Sequence, residues 1–164
     1  MAETNKNLMD AFAGESQANR KYLAYAAKAD KEGFAQVAKL FRAAAHAETI
    51  HAHAHLRLAG KISDTMANLE DAIAGETHEF TSMYPGMIKD AEAEGNTAAA
   101  SYMKWVNAVE EVHANLYKKA LAAKGQMEPV DYYVCTVCGY THEGPHEGPC
   151  PVCNAAAKAF EKLA

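Results

Sequence analysis

What this sequence lacks narrows its chemistry first. No cysteine occurs before residue 135, and proline occurs only once before residue 129, at Pro85. The N-terminal three quarters therefore has no disulfide framework and little to stop long helices. No apolar run approaches the roughly 18–20 residues of a membrane span, so no membrane partner is expected. Lys and Arg total 16 against 21 Asp and Glu, a net charge of −5. Without a cluster of basic side chains, nucleic acid is not the expected partner either. No glycine-rich dinucleotide fingerprint follows a strand-like run, so the chain itself is not expected to bind nicotinamide. The opening "MAETNKNLMD" lacks the apolar stretch of a signal peptide, which makes the cytoplasm the expected location.

What is present is helix-forming. The chain has 164 residues, 49% of them hydrophobic, enough for one core and a small appendage. Alanine and other strong helix formers dominate residues 3–123. They predict four long helices near 3–31, 34–59, 64–93 and 96–123. Gly33, "GKISD" and "EGN" punctuate them, with Ser63 or Asp64 as N-cap of the third. Helices of about 28 residues run about 42 Å, which suits a mainly α four-helix bundle. Pro85 should kink the third helix or break its ladder locally. At Gly125 the character changes: all four cysteines and four of the five prolines come after it. The expected division is a bundle over 1–127 and a small metal-binding domain over 128–164, which needs its metal to fold.

The helical part repeats. "AFAGE" (11–15) returns as "AIAGE" (72–76) at an offset of 61. Tyr22 returns as Tyr84, Glu32-Gly33 as Glu94-Gly95, Glu48 as Glu110 and His51 as His113, all at an offset of 62. One residue inserted in the third helix accounts for the change. Duplicated hairpins can present matching residues to a common centre. The repeat keeps Glu48 and His51 from "AHAETIHAHAHL" but not His46, His53 or His55.

Glu48 and His51 are three apart and share a helix face, as do Glu110 and His113. Two Glu-x-x-His pairs with one Glu from each remaining helix, here Glu15 and Glu76, form the di-metal carboxylate pattern of four-helix bundles. A single Glu or His on an alanine-rich helix is ordinarily solvated; six at matched repeat positions are not so easily dismissed. Glu79 lies three residues after Glu76 on the same face. This fifth acid leaves the set one negative charge beyond what two ferrous ions neutralise, which favours ferric iron. Oxygen and imidazole donors suit iron or manganese. Tyr22 and Tyr84 are candidates to hydrogen-bond the ligand carboxylates, with ordinary packing the plainer alternative.

The C-terminal segment reads "CTVCGYTHEGPHEGPCPVC". Cys135-x-x-Cys138 and Cys150-x-x-Cys153 make two knuckles that fit a tetrahedral tetrathiolate site. Gly139 and Pro151 suit tight turns whose backbone N–H groups point at sulfur. The spacing alone does not separate structural zinc from redox iron.

"AFAGESQANRKY", "AETIHA", "AGETHEF", "EEVHANLYKKA" and "CxxCGY…EG…PCPVC" together resemble rubrerythrin segments, in order and over nearly the whole chain. The resemblance implies a ferritin-like four-helix bundle with a non-haem di-iron centre held by Glu15, Glu48, Glu76, Glu79, Glu110 and His113, with Glu48 and Glu110 bridging. It implies that one iron exchanges the Glu79 carboxylate for His51 on reduction. It further implies a rubredoxin-like domain whose single iron is bound by Cys135, Cys138, Cys150 and Cys153, with zinc the alternative occupant in recombinant material. The activity so implied is reduction of hydrogen peroxide to water in oxidative stress defence. Electrons would come from an external donor, a rubredoxin or an NAD(P)H-linked reductase. A ferritin-like ferroxidase and a non-enzymatic module with a zinc ribbon are the rival readings. The ligands lie near mid-helix while the cysteines follow a linker beyond the fourth helix, so the two sites are expected more than about 20 Å apart within one chain. A homodimer or larger assembly, domain-swapped or head-to-tail, would then bring them together.

Overall fold

The computed structural model describes residues 3–163. Helices α1 (Glu3–Lys31), α2 (Ala35–Leu58), α3 (Thr65–His78), α4 (Tyr84–Ala93) and α5 (Thr97–Ala122) precede strands β1 (Tyr132–Cys135), β2 (Thr141–Glu143) and β3 (Phe160–Leu163). The molecule is thus mainly α with a small C-terminal β domain. It divides after Ser63 into two compact units.

The first unit is the α1–α2 hairpin. Ala38, Ala45 and Ala52 recur every seven residues along α2 and are buried, as are Ala26 and Ala29 on α1. Seven residues are two helical turns, so these methyl-only positions form one stripe that lets the helices approach closely. Asn19 pins the crossing: its Nδ2 donates to the Ala45 carbonyl at 2.6 Å and to Thr49 Oγ1 at 2.8 Å. Tyr22 packs its ring against Tyr25 and Phe41.

The second unit begins at the α3 N-cap, where the Asp64 carboxylate accepts the Ala67 N–H at 3.0 Å. The helix expected over 64–93 is interrupted by a π turn at Glu79–Met83. Pro85 comes immediately after, in the first turn of α4. A π turn is how a helix absorbs one extra residue. It falls between Glu76 and Tyr84, where the repeat offset steps from 61 to 62. Asn96 caps α5 by accepting the Ala99 N–H at 3.1 Å. Lys124 (φ 52°) and Gly125 (φ 73°) then turn the chain out of the helix.

The last segment forms a three-stranded antiparallel sheet in the order β2–β1–β3, with Val134 opposite Thr141 and Cys135 opposite Phe160. Its interior is shared with α5: Val109, 1% exposed, is buried with Cys135, Cys138 and Cys150, flanked by Trp105, Tyr140 and Phe160. Lys119 on α5 also pairs with Glu143 on β2. For the ligands on α5 this corrects the expectation of wide separation. The linker does not carry the cysteine domain away from the helix end. It turns back, and the domain lies along α5 beside Glu110 and His113. An apolar helix face completes a core that so short a segment cannot close alone.

Candidate metal centres

The helical ligands gather as two like triads. On the first hairpin, His51 Nδ1 lies 2.9 Å from Glu48 Oε2 and 3.8 Å from Glu15 Oε1. In the second unit, His113 Nδ1 lies 2.8 Å from Glu110 Oε2 and 3.7 Å from Glu76 Oε1. In each triad one donor atom per residue falls within 4.8 Å of the others. The sequence repeat is thus also a repeat of geometry, to about 0.1 Å in both distances. Helix spacing sets the Glu-x-x-His contact, and the neighbouring helix supplies the third donor.

The donors fit hard or borderline cations. Burial and the Glu110 carboxylate beside it push Glu76 up to about 7, with the facing His113 acting in the opposite sense. Two carboxylates crowded in one partly dry place need a proton or a cation between them. Glu79 opens the π turn. Burial, then the charge of Glu110, raises it above the usual carboxylate range. Tyr84, the first residue of α4, is raised by burial and by Glu110 and Glu79, which places it in the same field. A cleft of about 760 Å³ opens onto Glu76 and His113, with mainly apolar walls that include Leu69, Leu116 and Tyr132.

The two histidines differ at their other nitrogen. His113 Nε2 lies 3.0 Å from Thr141 Oγ1 on β2, whereas among the described residues His51 is held at Nδ1 alone. His51 is also the more exposed side chain, 54% against 26%. His46 and His53 are exposed and stand outside both triads. Thr141 has no signal in the sequence. Only the backfolding of the small domain brings it to α5, and no spacing marks that.

The four cysteines are unpaired and three of them buried. Cys135 and Cys153 sulfurs are 3.7 Å apart, those of Cys138 and Cys150 3.6 Å. A tetrahedron with metal–sulfur bonds of about 2.3 Å has edges of about 3.8 Å, so the cage fits. The knuckles match each other: Gly139 N–H donates to the Cys135 carbonyl at 2.8 Å, and Asn154 N–H to the Cys150 carbonyl at 2.9 Å. Both take positive φ, 86° and 60°. Burial works to raise Cys135, but the N–H groups of Cys138 and Val137 outweigh it and bring the thiol down to about 7. Burial raises Cys138 despite an N–H bond from Tyr140, and raises Cys153 despite one from Ala155. Such N–H groups aimed at sulfur favour thiolate, the form that ligates metal.

Duplicated Glu-x-x-His triads, with a tetrathiolate domain packed on the helix that carries the second, define a class: a helical di-metal carboxylate protein with an attached four-cysteine metal domain. The Rubrerythrin family model matches residues 6–121, and the model of the rubrerythrin rubredoxin-like domain matches 133–161. Nigerythrin of Nitratidesulfovibrio vulgaris is 35% identical, with 98% of this chain and 86% of that protein covered. Rubrerythrin of the same organism is 34% identical, with coverages of 99% and 95%. Rubrerythrin-1 of Clostridium acetobutylicum is 33% identical, with 98% and 94%. Solved structures of nigerythrin in its mixed-valence and fully reduced, all-ferrous states superpose with TM-scores of 0.59 and 0.60 at 31% identity, covering 99% of this chain and 88% of theirs. The chain belongs to the rubrerythrin family. It therefore carries a rubredoxin-like four-cysteine site and the Glu/His ligand sets of a di-iron protein, in a family whose members are typically oxidoreductases of oxidative stress defence. Among the described residues no helix is long and apolar enough to cross a membrane.

Proposed function

We propose that this protein is a non-haem di-iron peroxidase that reduces hydrogen peroxide to water in the cytoplasm, with electrons relayed through its rubredoxin-type iron from a rubredoxin or an NAD(P)H-linked reductase. The matched triads, Glu15–Glu48–His51 and Glu76–Glu110–His113, carry this reading. Functionally the chain divides into a di-iron part, 1–127, and an electron-accepting part, 128–164. Glu15, Glu48, Glu76, Glu79, Glu110 and His113 would be the residues that hold ferric iron, Glu48 and Glu110 the carboxylates that would be shared between metals, and His51 would be the donor that stands in for Glu79 with ferrous iron. A di-iron pair held here supplies two electrons to one oxygen–oxygen bond. Carboxylates of the set or bound water would deliver protons to the departing oxygens. The cleft beside Glu76 and His113 has room for so small a substrate, and its apolar walls limit competing water. The looser hold on His51 suits a ligand that comes and goes; the two-sided hold on His113 suits one that stays. The working unit is a homodimer or larger. Such an assembly would cover large exposed apolar side chains such as Leu40 and Leu58, 67% and 69% exposed.

The deciding experiment is metal analysis of anaerobically purified protein together with peroxide turnover under a chemical reductant. Three irons per chain with peroxide-dependent oxidation of the reductant is the expected result. Iron without turnover would shift the reading to iron handling, and colourless zinc protein to a structural module.

A further inference from the structure

The groups between His113 and Cys138 form an unbroken sequence. His113 Nδ1 faces Glu110 and Glu76, at 2.8 and 3.7 Å. Its Nε2 faces Thr141 Oγ1 at 3.0 Å. Thr141 Oγ1 lies 3.1 Å from the carbonyl oxygen of Gly139. That carbonyl belongs to the Gly139–Tyr140 peptide, whose N–H bonds the Cys138 sulfur. A ring that ligates through Nδ1 carries its hydrogen on Nε2. Thr141 then accepts from the ring, and its single hydroxyl hydrogen goes to Gly139. Every donor has one acceptor, all in one direction.

We propose that Thr141 is a positioning residue that ties the di-metal ligand His113 to the cysteine knuckle. It fixes the ring with Nδ1 toward the carboxylates, and it polarises the one peptide that hydrogen-bonds Cys138. Hydrogen bonds in series strengthen one another. The Thr141 bond draws electron density toward the Gly139 oxygen and makes the Tyr140 N–H a better donor to sulfur. A stronger N–H bond to sulfur favours the more electron-rich, reduced state of a tetrathiolate iron. The state of His113 and the potential of the cysteine site are therefore linked through one side chain. This rests on His113 being a ligand of the di-metal centre, not on the peroxidase reaction.

The test compares Thr141→Val, which keeps the shape and removes the hydroxyl, with Thr141→Ser, which keeps the hydroxyl. The first readout is solvent exchange of the His113 Nε2 hydrogen, by nitrogen-15 NMR on full-length protein reconstituted with zinc. The second is the midpoint potential of the four-cysteine iron in the iron-loaded protein. In Thr141→Val the exchange should accelerate about fivefold, the value of one neutral hydrogen bond, and the potential should fall. Thr141→Ser should restore both towards native. Native exchange and native potential in Thr141→Val would overturn the proposal, as would a serine variant that behaves like valine. Both readouts are independent of peroxide turnover, so a native protein without peroxidase activity would refute the functional reading and leave this link standing.

Discussion

At the scale of single residues, chemistry depends on which side chains are held on both sides. His51→Ala should lower peroxide turnover about 10- to 100-fold, the range for losing a metal-site contact. His46→Ala and His53→Ala should leave it unchanged, because neither stands in a triad; steady-state assays of the three variants check this. Glu76 carries a pH signature. Its carboxyl is raised from 4.5 to about 7 in the protein without metal, so the folded form holds the proton more tightly than the unfolded form. Its contribution to stability is full below about pH 4.5 and is lost as pH rises to about 7. Melting temperatures of metal-free protein should show Glu76→Gln gaining on the native protein between pH 5 and 8, and a constant difference across that range would count against it. The two triads were legible in the sequence because the duplication marks Glu48 and His51 among four histidines in twelve residues. Thr141 was not, since a hydrogen bond made by tertiary backfolding leaves no trace in spacing.

Among the elements, the helices were legible to within a residue or two, because alanine-rich runs ended by Gly33, Gly60 and Gly95 leave few choices. Caps fix where they start. Asn96→Ala should remove the acceptor for Ala99 N–H and cost about 1 kcal/mol, read as a lower melting temperature with activity per folded molecule unchanged. The π turn is the element with functional reach. Its extra residue was legible in the offset change, but its form was not, since an inserted residue could equally have made a loop. Deleting Thr81 within it should restore continuous α-helix and remove the extra residue between Glu79 and Tyr84. Circular dichroism should show helix content retained while turnover falls sharply. Retained turnover would mean that the widened turn itself is immaterial to the chemistry.

For the whole molecule, the second unit matters most: one helix, α5, carries two residues of the second candidate triad and one wall of the cysteine core. Cys135→Ala/Cys138→Ala should abolish the red tetrathiolate absorption and reductant-driven turnover, while iron analysis still finds the helical metal. The docking of this domain was the part of the fold least open to sequence reading. The linker has no periodicity, and Val109 looks like any apolar helix residue until its neighbours are known. A different kind of history is written in Glu79–Met83. A doubled gene segment starts as two identical copies, and identical copies cannot divide labour. One added codon between Glu76 and Tyr84 leaves the second triad's distances equal to the first and alters only the stretch of helix beyond Glu76. Descent thus had a way to change one copy's complement of acids without disturbing the ligands both copies inherited.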